Sequence, residues 1–87
     1  REACVSLPPA VTLTLPSQVE AVDDAEVATR EFAGAAGFGE EEQYFIGLAV
    51  REVLVNAIRH GNRFDLAKQV TLRLSAADGE LVVDVID

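Results

Sequence analysis

The chain has 87 residues, seven basic against fifteen acidic side chains, a formal charge of −8 and a single cysteine. A length of this order allows one small domain with a marginal core, and the negative field argues against general binding to nucleic acid or to an anionic membrane surface. Cys4 can form no internal disulfide, which suits a reducing cytoplasm, and no run approaches the roughly 18 consecutive apolar residues of a membrane span.

The first predicted element is a strand over about residues 10–15, where Val11, Leu13 and Leu15 alternate with Thr12 and Thr14. Pro16 ends it. Ser17 and Glu20 then form an S-x-x-E capping box, which predicts a helix start. Over about residues 18–36 one side of that helix carries Val22, Ala25, Thr29, Phe32, Ala33 and Ala36, while Asp23, Asp24, Arg30 and Glu31 fall on a solvated side. Gly34, Gly37 and Gly39 weaken and then end it.

Glu40, Glu41 and Glu42 open a second helix over about residues 40–60, placed where the positive end of the helix dipole favours acids. This helix is apolar nearly all round, from Phe45 to Ile58, and is expected to be central, with protein on most sides. After the connector "GNRFDLAK", two strands over about residues 69–75 and 80–87 flank Asp78-Gly79, a hairpin signature. The order strand, helix, helix, strand, strand predicts an α/β fold, a two-layer sandwich with a mixed sheet and both helices on one face. The last strand is the most hydrophobic and is expected at the sheet centre. It is still running at Asp87, so the 87 residues are expected to form a single but incomplete domain.

Within the second helix, Glu52, Asn56 and His60 stand four apart and therefore share one ridge of an α-helix, beside Phe45, Ala49 and Val53. Polar groups on a buried face need partners. A structural network in which Glu52 accepts from Asn56 or Arg59 satisfies that need without any ligand. The pattern E-x-x-x-N-A-x-x-H-G, formed by Glu52, Asn56, Ala57, His60 and Gly61, closely resembles the N-box of the GHKL, or histidine-kinase-like, ATPases. It looks most like the branch of anti-sigma-factor serine/threonine kinases, and the resemblance spans nearly the whole chain.

The resemblance implies the Bergerat ATP-binding fold, truncated here, with ATP and Mg²⁺ as cofactors. Asn56 would hold the metal that bridges the phosphates, since a carboxamide oxygen is a hard, neutral ligand. Glu52 would act on an attacking hydroxyl, either as a base or by orienting Asn56 or a metal-bound water. Arg59 would lie near the phosphates and His60 against the nucleotide, although both are also natural last-turn cations. Arg63 is a weaker phosphate candidate. Asp87 stands where the next family motif, D-x-G-x-G, places the aspartate that accepts from the adenine amino group. Its glycines do not follow, so the chain by itself is expected to bind ATP poorly. The implied activity is phosphorylation of a serine on an antagonist protein, with a sigma factor as the sequestered partner; separately, a homodimer is expected because a small incomplete domain can recover burial by pairing. Two other readings are a nucleotide-regulated binding module without phosphoryl transfer and the ATPase half of a sensor histidine kinase.

Overall fold

A computed structural model describes residues 8–61, 63, 65 and 67–86. The elements run β1 (Val11–Pro16), α1 (Val19–Ala35), α2 (Glu40–Asn56), a π-helical turn (Ala57–Gly61), β2 (Gln69–Ala77) and β3 (Glu80–Ile86). Two helices cover one face of a sheet ordered β1-β2-β3, which is the expected two-layer α/β sandwich. Both described pairings are antiparallel, where a mixed sheet was expected. None of the described helices is long and apolar enough to cross a membrane.

Register follows the period of two. Leu13 lies opposite Leu72 and Leu15 opposite Val70, while Leu74 faces Val11 on one side and Val83 on the other. Every residue of that set points to the helices, and Thr12, Thr14, Arg73 and Asp84 point away. Asp78 and Gly79 both take positive φ, 52° and 79°, as a two-residue type I′ turn requires. Leu15, Val22, Ala25, Phe32, Val50, Leu54, Ile58, Val70, Leu72 and Leu74 form one continuous core.

Three expectations are corrected. Among the described residues β2, not β3, holds the centre of the sheet, and β3 is an edge strand with no fully buried side chain. Its apolar composition misleads because Val82 and Ile86 lie on the outer face, exposed, while Leu81, Val83 and Val85 point inward and are only half-buried. Among the described residues α2 is not covered on every side either. Its buried stripe is Gly47, Val50 and Leu54, continued by Ile58, and Phe45 and Val53 are 59% and 48% exposed.

The third correction concerns the start of α1. Its N-cap is Gln18, whose side chain makes no capping bond, and the buried Ser17 hydroxyl donates to the Lys68 carbonyl at 2.8 Å. Ser17 thus ties the end of β1 to the start of β2, 51 residues away in sequence. Ser17→Ala is expected to lower stability by about 1–2 kcal/mol, because it leaves the Lys68 carbonyl short of a donor. A urea melt compares the two proteins, and an unchanged midpoint would show that water replaces the hydroxyl.

The C-terminus of α1 follows the glycine signal closely. Gly37 adopts φ 100°, its N–H bonds the Gly34 carbonyl at 3.0 Å and the Phe38 N–H bonds the Ala33 carbonyl at 3.0 Å. This is a Schellman motif, which turns the chain sharply into α2. Glu42 Oε1 accepts from the Gly39 N–H at 3.0 Å and so fixes the first turn of α2.

Candidate functional site

The buried stripe of α2 decides what its opposite side presents. With 3.6 residues per turn, Leu48, Glu52 and Asn56 fall on the side away from Val50 and Leu54, and all three are exposed. A depression of about 420 Å³ on this side is lined by Leu48, Arg51, Glu52, Val55, Asn56 and Arg59. A carboxylate, a carboxamide and two guanidinium groups thus meet on one open surface.

The sequence placed Glu52, Asn56 and Arg59 in a candidate site, and the fold brings these three together. His60 is exposed and does not line the depression. The π-helical turn gives the reason: it bonds residues five apart rather than four, so Asn56 and His60 no longer stack as they would on a continuous α-helix. Arg63 is exposed, with φ 52°, in the connector beyond that turn. Asp87 lies outside the described residues.

Arg51 was not singled out in the sequence. Its Nη1 donates to Asp23 Oδ1 at 2.6 Å and to Glu26 Oε1 at 3.0 Å, which joins α2 to the solvated side of α1. The hydrogen bonds to Asp23 and then Glu26 hold its pKa above the ordinary guanidinium value, so it is a fixed cation. The available signal was an arginine beside Glu52 together with two acids three apart on the preceding helix. Glu26 also pairs with Arg30. Arg30 lies 5.0 Å from the Tyr44 ring centroid and crosses Gly47, where an added Cβ would come within 2.6 Å of its Nε. That close approach explains a glycine in mid-helix, and it buries the Arg30 Nε without a partner.

A second, larger hollow of about 760 Å³ opens between α2 and β3, lined mainly by Ile46, Ala49, Val53, Leu81, Val83 and Val85. It offers an apolar surface and little polar chemistry. The charged and amide side chains Arg51, Glu52, Asn56 and Arg59 line the smaller depression instead.

Residues 15–87 match the family model described as histidine kinase-like ATPase domain. The chain belongs to that family. A search of curated proteins found no match. Family membership implies ATP binding and a kinase-like function, and the matched span includes both helices and the whole Glu52–Gly61 segment.

The histidine kinase-like side chains fit a nucleoside triphosphate. The Arg59 guanidinium can supply charge-assisted donors for phosphate, and the Asn56 carboxamide is exposed with no hydrogen-bond partner among the described residues. Among the described residues no three His, Cys, Asp or Glu side chains cluster as a metal cage. A metal held at Asn56 would therefore complete its shell with water and phosphate oxygens, as magnesium does in most phosphoryl-transfer sites.

Proposed function

We propose that this domain is the ATP-binding part of a serine/threonine protein kinase of the anti-sigma-factor type. The observation that carries the reading is the grouping of Glu52, Asn56 and Arg59 on one open depression within the matched family span. Bound Mg·ATP supplies the transferable phosphoryl group. Asn56 holds the magnesium through its carboxamide oxygen, and Arg59 offsets phosphate charge from the next turn of the helix.

Glu52 stands one turn before Asn56 and faces solvent, so a protein hydroxyl can reach it. In this role the Glu52 carboxylate accepts the proton of the attacking serine Oγ. The substrate is an antagonist protein, and its phosphorylation frees the kinase to sequester a sigma factor, with a homodimer as the working unit in the cytoplasm. The exposed apolar Leu48 in the depression, with Phe45 exposed about one turn earlier on the same helix, supports the reading because it gives a protein partner surface to bury.

Glu52→Ala separates transfer from binding. The expected result is a fall of about 100-fold or more in phosphate transfer to a serine of the partner, as for loss of a positioned base, with nucleotide affinity changed by less than about threefold. Transfer by Glu52→Ala at the wild-type rate would reduce Glu52 to an orienting role. A wild-type protein that binds ATP yet phosphorylates nothing would mark the domain as a nucleotide-regulated binding module.

A further inference from the structure

Arg51 sits at the boundary between two surfaces. Arg51 is one of the residues that line the depression with Glu52, Asn56 and Arg59, and its guanidinium is bonded to Asp23 and Glu26 of α1 at this edge. We propose that Arg51 is a phosphate-binding residue for the nucleoside triphosphate, and that Asp23 and Glu26 compete with the phosphates for it, so that α1 sets nucleotide affinity. The inference rests on the reading of the depression as the nucleotide site.

Three observations support the exchange. First, the Arg51 side chain is 33% exposed and Asp23 is 64% exposed, so their pair is held in water. Pairs of this kind are weak, shifting an equilibrium by up to about fivefold, whereas a guanidinium can bind a phosphate through two parallel charge-assisted bonds. Second, Glu26 is only 14% exposed, yet it has a second cation in Arg30 and so stays paired when Arg51 leaves. Third, Asp23 is exposed enough to be hydrated as soon as it is released. Neither carboxylate is left buried and unpaired, which is the condition that makes breaking an ion pair costly.

The coupling is reciprocal by thermodynamic necessity. Nucleotide binding loosens the Asp23 edge of α1, and any partner that takes hold of Asp23 raises nucleotide affinity. The solvated acidic side of the first helix thus becomes a regulatory surface for the site on the second.

The test is the affinity of a fluorescent ATP analogue with Mg²⁺ for the full-length protein at fixed ionic strength, in wild type, Asp23→Asn, Asp24→Asn and Arg51→Gln. Asp24 is an exposed neighbour on the same helix and controls for the change in net charge. The proposal expects Asp23→Asn to bind about two- to fivefold more tightly, Asp24→Asn to stay near wild type, and Arg51→Gln to bind about tenfold more weakly. In the Arg51→Gln background, Asp23→Asn should have no further effect. A merely structural Arg51 predicts the opposite sign for Asp23→Asn, because loosening the helix pair would weaken the site. Wild-type binding with Asp23→Asn equal to or weaker than Asp24→Asn overturns this inference alone. Absence of saturable, Asn56-dependent binding in wild type overturns the nucleotide site itself and this inference with it.

Discussion

Asn56→Ala is expected to remove Mg²⁺-dependent nucleotide binding, with a loss of at least about 100-fold in affinity, equivalent to roughly 2.7 kcal/mol. The magnitude follows from the site's chemistry. In the proposed site the Asn56 carboxamide would be the protein ligand to magnesium, with water and phosphate oxygens completing the shell, so its loss would remove that ligand. Stability should barely change. The side chain is exposed and makes no hydrogen bond among the described residues, and alanine is the better helix former by about half a kcal/mol. Titration with a fluorescent ATP analogue, alongside a thermal melt of the same variant, separates the two effects. A parallel loss of affinity and folding would instead make Asn56 a structural residue.

The second large effect is in the core. Leu54 is 0% exposed and packs in the cluster with Ile58, Val70, Leu72 and Leu74. Leu54→Ala is therefore expected to cost about 2–5 kcal/mol through lost burial and the cavity left behind. For a domain of this size that is a melting-temperature fall of roughly 10 °C or more, out of a total stability of only about 4–13 kcal/mol. Val53, its neighbour in sequence, is 48% exposed, and Val53→Ala should cost under about 1 kcal/mol. The contrast between adjacent positions tests which face of α2 is buried. Equal losses would mean that Val53 is covered in the folded protein.

Much of the fold was legible because periodicity and turn chemistry are local. The alternation of Leu13 and Leu15 with threonines, the stripe of Val22, Ala25, Thr29 and Phe32, and the Asp78-Gly79 turn each stand in the structure as their side chains demand. What could not be read was how much protein covers each apolar surface. α2 and β3 are both hydrophobic enough to suggest burial on every side, but composition does not say what lies opposite Phe45, Val53, Val82 or Ile86. Ser17 illustrates the same limit. The S-x-x-E pattern is a local signal, yet the hydroxyl is used in a long-range bond to Lys68.

The site shows a similar division. A spacing of four brought Glu52 and Asn56 onto one face, because α2 is regular through Asn56. The projection to His60 lost its basis where the helix widens to a π-turn, which the letters "AIRHG" do not announce. Arg51 escaped notice because its importance depends on α1 packing beside α2, which brings Asp23 and Glu26 within hydrogen-bonding distance of its guanidinium. Motif spacing locates groups along one helix; charge contacts between helices require the tertiary fold.

The most direct test of the central claim is a residue-resolved NMR titration of the full-length protein with Mg·ATP. The account predicts saturable shift changes centred on Arg51, Glu52, Asn56 and Arg59, all lost in Asn56→Ala. Changes confined to Ile46, Leu81 and Val83 in the apolar hollow, or no saturable change at all, would contradict it.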